Sequence, residues 1–227
     1  MIVESRNDKK VKLMKLNIAV LPGDGIGPEV IAQAVKVLKA IALEFNHIFT
    51  FQKALVGASA IDKTGNPLPE ETISICKKAD AVLFGAIGDI KYDEDPDAKI
   101  RPEQGLLGIR KELGLSTNIR PIIAYEDLLN KSSLKVKQIK DTNILIYREL
   151  TGGIYFGKRH LSKDGNTASD TCEYNRFEIE RIAHLAFKAA QSRKRKLTLV
   201  DKANVLETSR LWRRIVKEIA PQYPNVR

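Results

Sequence analysis

The chain has 227 residues, of which 43% are hydrophobic and 29% charged, so it is long enough for one large or two modest domains and has an ordinary globular composition. No apolar run approaches membrane-spanning length and residues 1–10 lack the apolar core of a signal peptide, which predicts a cytoplasmic protein without membrane contact. The net charge of +10 is spread along the chain without an aromatic-interleaved patch, so we expect an anionic small-molecule ligand rather than nucleic acid.

Apolar spacing predicts the elements of the first half in chain order. Residues 1–13 are polar and patternless, which predicts a disordered extension. A buried strand over 15–21 leads through a glycine-rich turn at 22–28 into a helix with apolar residues at helical spacing. We then expect a strand near 49–54, a helix from about 70, a strand over 81–84, a polar loop to 102 and a helix over 103–113.

The second half continues the alternation of strands and helices. Strands are predicted at 118–124, 143–147 and 196–200, a hairpin within 150–174 and a helix over 177–191. Asn204 is predicted to cap the last helix. This alternation indicates an α/β fold with parallel pairing.

Residues 148–157 (RELTGGIYFG) are the most informative stretch. An arginine ends an apolar strand, and two glycines and a tyrosine follow it. A cation and a phenol at the end of a buried strand are costly unless they are paired, which favours a site. The alternative is a surface arginine, a Gly-Gly turn and a core tyrosine.

Residues 22–29 (PGDGIGPE) lie between a strand and a helix but do not match a dinucleotide fingerprint. The glycines follow the spacing G-x-G-x-G, whereas the fingerprint needs G-x-G-x-x-G. The pattern by itself favours a tight turn.

Four residues share one face of the predicted helix over 103–113. An apolar pair beside a guanidinium there would recognise a molecule with an alkyl group and a carboxylate; without other evidence, a core-facing stripe with an edge arginine is favoured. With an arginine at each of two strand boundaries, three guanidinium groups would hold a dicarboxylate. The helix residues are Glu103, Leu106, Leu107 and Arg110, and the strand residues are Arg120 and Arg148.

Residues 201–204 (DKAN) follow the strand predicted over 196–200, at the edge where α/β sheets bind ligands. A partly buried Lys202 would act as a base there, whereas an ordinary surface Asp-Lys pair is the alternative. The histidines at 47, 160 and 184 lack metal-ligand spacing and are predicted to be structural or exposed.

Four ordered motifs together resemble the isocitrate/isopropylmalate dehydrogenase family of β-decarboxylating dehydrogenases, most closely its isopropylmalate branch. They are residues 21–30 (LPGDGIGPEV), 101–107 (RPEQGLL), 148–157 (RELTGGIYFG) and 201–206 (DKANVL), and the likeness runs from about residue 15 to the end of the chain. It implies a two-domain α/β fold with mostly parallel sheets. Residues 14–116 would form part of a large cofactor-binding domain, and 117–227 a small substrate and dimerisation domain.

The resemblance also implies roles for individual residues. Arg110, Arg120 and Arg148 would bind the malate carboxylates and Leu106 and Leu107 the isopropyl group, while Tyr155 would supply a proton and Lys202 would be the base. The residues implied to bind NAD are Asp89, Ile90, Lys91, Tyr92, Asp93, Arg101, Pro102, Glu103 and Asn204.

The implied reaction is hydride transfer from 3-isopropylmalate to NAD, then decarboxylation, in leucine biosynthesis by a homodimer. The family uses Mg²⁺ or Mn²⁺, whose aspartate ligands would lie beyond residue 227, as would the rest of the first domain. We therefore expect a chain incomplete at its C-terminus, doubtful in activity, with exposed strand edges and apolar faces. The alternatives are a dehydrogenase for isocitrate, homoisocitrate or tartrate, and a non-catalytic dimerising fragment.

Two positions depart from the family pattern. Ile90 stands where proline is usual, and Ser116-Thr117 where Phe-Ala is common. The second change is expected to weaken packing near Arg120.

Overall fold

The computed structural model describes residues 13–94 and 98–227. The described chain divides into two compact units, one reaching to Leu113 and one running from Gly114 to Arg227. The predicted extension over 1–13 lies outside the described residues apart from its last residue. Among the helices within those ranges, none is both long and apolar enough to cross a membrane.

The first unit is a parallel three-stranded sheet with helices. The central strand β1 pairs with β2 on one side and β3 on the other. Its elements are β1 (Lys15–Gly23), α1 (Gly27–Glu44), β2 (Ile48–Lys53), α2 (Ala58–Thr64), α3 (Glu70–Lys78), β3 (Ala81–Ala86), α4 (Ile90–Asp93) and α5 (Pro102–Glu112).

Both faces of β1 are buried. This is expected for a central strand of a parallel sheet whose sequence is a continuous apolar run. Ala19 and Leu21 point into a cluster with Val56 and Ile109. Val20, on the opposite face, packs in a second cluster beneath α1. The predicted α/β fold with a parallel sheet is confirmed, and the short helix α4 is an addition within the segment expected to be a loop.

The first unit exposes apolar surface and strand edges. Within the described ranges, β2 and β3 each pair only with β1, so their outer edges are open. Val30, Val37 and Ile41 form a second, exposed apolar stripe along α1. The expectation of open edges and uncovered apolar faces is confirmed for this part of the chain.

The second unit contains two antiparallel ladders and two long helices. The strands β4 and β5 form one ladder and the hairpin strands β6 and β7 the other. Its elements are β4 (Thr117–Ile123), α6 (Val136–Ile139), β5 (Asn143–Glu149), β6 (Arg159–Leu161), β7 (Ala168–Asp170), α7 (Arg176–Gln191) and α8 (Glu207–Ile219), with 3-10 turns at Glu126–Lys131, Gly153–Tyr155 and Ala220–Gln222.

The helices α7 and α8 form the core of this unit. Ile179 and Ile215 are fully buried between them, and the Phe187 and Tyr223 rings stack with centroids 4.8 Å apart. His184 Nδ1 lies 2.8 Å from the Tyr223 hydroxyl. His47 is buried between two phenylalanine rings and His160 is exposed, so the structural or surface prediction for all three histidines is confirmed.

Two predictions in this unit are wrong. No strand forms over 196–200: the Leu197 N–H donates to the Arg227 carbonyl, and Val200 is 89% exposed. Asn204 does not cap α8, because the helix begins at Glu207 with Leu206 in the cap position. Leu197 packs against the cluster of α7 and α8, but Val200 is exposed, so the apolar pattern of 196–200 did not lead to strand pairing.

Candidate functional site

The carboxyl ends of β1 and β3 meet at one edge of the parallel sheet, where α/β proteins bind ligands. Gly23 lies opposite Ala86 in the register. Its φ is +72°, and a Cβ at this position would come within 1.9 Å of the Ala86 carbonyl oxygen. The first glycine of the turn is therefore required by close backbone approach.

Asp24 joins the loops at this edge. The residue is 5% exposed, and its carboxylate accepts hydrogen bonds from the backbone N–H groups of Ala58 and Ser59 at 2.9 Å and of Gly88 at 3.2 Å. No role is predicted for Asp24 from the four motifs, although an aspartate between two glycines after a buried strand is a usable signal. Asp24 fixes the segment that leads into the predicted cofactor loop.

The predicted cofactor residues of α4 are tied to α2. Lys91 Nζ lies 2.6 and 2.8 Å from the Asp62 carboxylate oxygens, and the Tyr92 hydroxyl donates to Asp62 at 2.9 Å. The pKa of Asp62 is lowered, chiefly by the hydrogen bond from Lys91. Arg101 Nη1 donates to the Tyr92 carbonyl at 2.7 Å, so both ends of the short helix are held.

Asp89 caps α4 by accepting the Lys91 N–H, while Asp93 ends the helix and is exposed, as is Ile90. Because the Lys91 and Tyr92 side chains bind Asp62, they orient the loop against its own unit. A direct cofactor contact through these two side chains stays a prediction.

The helix α5 presents the predicted recognition face beside its core stripe. Pro102, Gly105 and Ile109 are buried, and Leu106 and Leu107 are half-buried. Contact of these leucines with a ligand stays a prediction, beside the alternative of a core-facing stripe with an edge arginine. Glu103 is exposed and Arg110 half-buried on this same flank of the helix.

Arg120 and Arg148 share one face of the ladder formed by β4 and β5. Asn118 lies opposite Arg148 and Arg120 opposite Ile146, and directly opposed residues in an antiparallel ladder point to the same side. The Arg120 Nε donates to Asn118 Oδ1, which holds its side chain along the strand. The two exposed guanidinium groups are thus diagonal neighbours.

Tyr155 lies next to Arg148. The guanidinium carbon of Arg148 is 5.6 Å from the centre of the Tyr155 ring, which is within cation–π range. Tyr155 is 50% exposed, so the alternative of a core tyrosine is wrong. Three predicted residues are thus neighbours along the ladder: Arg148 lies near its end with Tyr155 beside it, and Arg120 lies at its central pair rather than at the predicted strand boundary.

Glu149 folds the loop that connects Arg148 to Tyr155. Its side chain is 2% exposed and accepts the N–H groups of Thr151 and Gly152 and the Thr151 hydroxyl, as well as a hydrogen bond from Arg181 at 3.2 Å. Glu149 is not among the residues predicted from the sequence. A carboxylate directly after a buried strand was the available signal.

Lys202 is exposed in a loop packed on the start of α8. Asp201 pairs with Arg213, and the partial burial predicted for Lys202 is wrong, because its side chain is exposed as the surface alternative expects. The hydrogen bond from Arg213 lowers the pKa of Asp201. Asn204 is exposed in the turn that follows.

The predicted residues are thus divided between the units. The first contains the helix α5 face and the α4 loop, and the second contains Arg120, Arg148, Tyr155, Lys202 and Asn204. Their roles toward substrate and cofactor stay predictions.

The two implied cofactors differ in how well the described residues suit them. The open sheet edge at Gly23 and Ala86, with Gly88 and Asp89 following, suits a nucleotide that binds at the carboxyl ends of parallel strands. No group of three or more His, Cys, Asp or Glu side chains comes together within residues 13–94 and 98–227 to hold a metal ion. The carboxylates of these described ranges therefore do not fit a divalent-metal site.

Relatives support the resemblance across most of the chain. A 3-isopropylmalate dehydrogenase of Bacteroides fragilis strain YCH46 is 54% identical over 94% of this chain, and one of Bacillus subtilis strain 168 is 52% identical over 94%. The chain spans 60% of the length of each relative.

Solved structures agree. The isocitrate dehydrogenase from Methylococcus capsulatus matches 92% of this chain and 58% of its own, with a TM-score of 0.79 and 31% identity. A β-decarboxylating dehydrogenase from Thermococcus kodakarensis matches 91% of this chain and 55% of its own, with a TM-score of 0.64 and 36% identity.

The family model described as isocitrate/isopropylmalate dehydrogenase matches residues 17–227. That match includes every predicted site residue, the carboxyl ends of β1 and β3 and the loop around Lys202. The chain belongs to the isocitrate/isopropylmalate dehydrogenase family.

Proposed function

We propose that this chain contributes substrate- and cofactor-binding residues to the NAD-dependent oxidative decarboxylation of 3-isopropylmalate. The setting would be leucine biosynthesis in the cytoplasm, and the functional assembly a homodimer. The names of the relatives at 52–54% identity support the substrate. The chain spans 60% of their length, and the further segments of the functional assembly are proposed to complete the site.

The observation that carries the proposal is the cationic face of the ladder. Arg120 and Arg148 are on one face, with Tyr155 beside Arg148. Guanidinium groups bind carboxylates through paired, charge-assisted hydrogen bonds. Two such groups next to a phenol suit a dicarboxylic acid that also undergoes proton transfer.

In the proposed reaction, Arg120 and Arg148 bind and orient the substrate carboxylates. Lys202 receives the proton of the substrate hydroxyl, and Tyr155 delivers a proton to the carbon that loses carbon dioxide. NAD, when bound, accepts the hydride. Leu106 and Leu107 are proposed to contact the alkyl group, and Arg110 a carboxylate.

Equilibrium binding tests this proposal without requiring turnover. Titration of the 227-residue chain with 3-isopropylmalate should give saturable heat, and Arg148→Met should weaken the affinity about tenfold or more. Lys135→Met removes the same charge from an exposed position of the same unit and should leave the affinity unchanged. Equal affinity of the unaltered chain, Arg148→Met and Lys135→Met would reject the proposed binding of a substrate carboxylate by Arg148.

A related diacid is the second candidate substrate, favoured by the 31% identity to an isocitrate dehydrogenase. Affinities for isocitrate, homoisocitrate, tartrate and 3-isopropylmalate, measured side by side, decide between them. Leu106→Ser should reduce the preference for 3-isopropylmalate over isocitrate if an apolar contact with the alkyl group sets it. An unchanged preference would show that Leu106 does not contact the alkyl group.

A non-catalytic, dimerising role is the third candidate, favoured by the partial coverage of the relatives. Size-exclusion chromatography of this chain with an intact relative would detect a mixed dimer. NADH formation with 3-isopropylmalate and Mg²⁺ or Mn²⁺ by the isolated chain would exclude a purely non-catalytic role.

A further inference from the structure

The backbone around Lys202 is held by the first turns of α8. The Lys202 N–H donates to the Ser209 hydroxyl at 3.0 Å, and the Lys202 carbonyl accepts from the N–H groups of Val205 and Leu206 at 3.0 Å each. Ala203, the next residue, is buried. The lysine is therefore exposed on a loop whose own backbone is ordered.

A paired ionic contact fixes the residue before Lys202. Arg213 Nε lies 2.9 Å from Asp201 Oδ2, and Arg213 Nη2 lies 2.7 Å from Asp201 Oδ1. Asp201 Oδ1 also accepts the Ala203 N–H at 3.0 Å. The Asp201 side chain is only 8% exposed, so one buried carboxylate connects the helix to the backbone on both sides of Lys202.

A fork with two parallel hydrogen bonds sets orientation as well as distance. Arg210 adds a further contact, since its Nε donates to the Ala203 carbonyl at 3.0 Å. Arg210 and Arg213 lie three residues apart and so share a face of α8. That face is where the loop packs.

Arg214 provides an internal comparison. It follows Arg213 directly, has the same charge and is on the same helix. Its side chain is 61% exposed, and its ion pair within the described chain is with Glu218 of its own helix at 3.6 Å. Removing Arg214 therefore changes the charge of α8 without removing the contact to Asp201.

We infer that Arg213 is a positioning residue, which acts through Asp201 to hold Lys202 in a fixed backbone conformation. This inference rests on the proposed function, in which the Lys202 amine is the base. Without the fork, Asp201 loses its partner and the loop gains conformers. The amine would then be presented in the productive orientation less often.

Amide hydrogen exchange of the 227-residue chain tests the inference. Arg213→Gln should accelerate exchange of the Lys202 and Ala203 N–H groups about tenfold, with α7 unchanged. Arg213→Lys, which keeps the charge without the fork, should give a smaller acceleration, and Arg214→Gln none. Adding Arg213→Gln to Asp201→Asn should cause little further change, because both substitutions remove the same contact.

Unchanged exchange in Arg213→Gln would overturn the inference, as would equal acceleration in Arg214→Gln or acceleration throughout α7. If the unaltered chain turns over 3-isopropylmalate, Arg213→Gln should lower kcat with little change in KM. A failure of the unaltered chain to bind or oxidise the diacid counts against the proposed function alone. Amide exchange then still decides the role of Arg213 in the loop.

Discussion

Arg181 of α7 donates to the buried carboxylate of Glu149 at 3.2 Å and so connects the long helix to the end of β5. The same Arg181 Nη2 donates to the Thr151 hydroxyl at 2.6 Å. Glu149 is thus the point at which a helix, a strand and the loop before Tyr155 meet. A group with this many donors is costly to change, because each lost bond leaves a donor behind.

Replacement of Glu149 by glutamine should destabilise the second unit. The amide keeps the shape but loses the charge that Arg181 and the loop N–H groups bind, which costs about 2 kcal/mol of unfolding free energy. Urea unfolding followed by tryptophan fluorescence measures this loss. Asp170→Asn, at an exposed carboxylate of the same unit, is the control and should change the unfolding free energy by less than about 0.5 kcal/mol. Equal effects would contradict the anchoring role of Glu149.

The Asp62 contact should make the α4 loop sensitive to acid. Hydrogen bonding from Lys91 lowers the pKa of Asp62. The stabilisation from the contact between Asp62 and Lys91, here called the tether, is therefore fully present above the ordinary aspartate pKa and is lost as the pH falls through the lowered value. Amide protection factors of α4 should fall over that acid range. At neutral pH, Asp62→Asn should reduce them about threefold.

Glu94 provides the control for this contact, because it is an exposed carboxylate at the end of the same helix. Glu94→Gln should leave the α4 protection factors unchanged at neutral pH. If Asp62→Asn and Glu94→Gln behaved alike, the tether would have no role in ordering the loop.

Thr117→Ala should stabilise the chain. The Thr117 hydroxyl is buried and has no hydrogen-bond partner among the described residues. Removing an unsatisfied buried hydroxyl is expected to raise the unfolding free energy by about 1 kcal/mol, and thermal unfolding measures the shift. Thr142→Ala, at a half-buried threonine of the same unit, is the comparison. A lower Tm for Thr117→Ala would show that its hydroxyl is satisfied.

The two thiols should react at very different rates. Burial raises the pKa of the Cys76 thiol, so less thiolate is present at any given pH and reagents reach it only by unfolding, whereas Cys172 is exposed. Iodoacetamide at about pH 8 should label Cys172 at least tenfold faster, as peptide mass spectrometry can measure. In denaturant the rates should converge. Equal rates in the native chain would mean that the first unit does not form the described core.

The sequence predicted the parts that local pattern decides. Apolar periodicity predicted the strand and helix on either side of the first turn, and composition predicted the hairpin within 150–174. It failed at 196–200, where apolar residues alternate but no neighbouring strand follows. Periodicity measures what a segment could bury, and pairing depends on which segments are adjacent in the fold.

What the tertiary structure decided is the set of contacts between residues far apart in the chain. Asp24 meets Gly88, Glu149 meets Arg181, and Asp201 turns to Arg213 instead of to its neighbour Lys202. The motifs located Arg148, Tyr155 and Lys202, because each has a recognisable residue type at a strand or loop end, whereas Arg120 lies within β4. The anchors that hold them could not be found in the same way, since a buried carboxylate's partner is set by packing geometry rather than by sequence spacing.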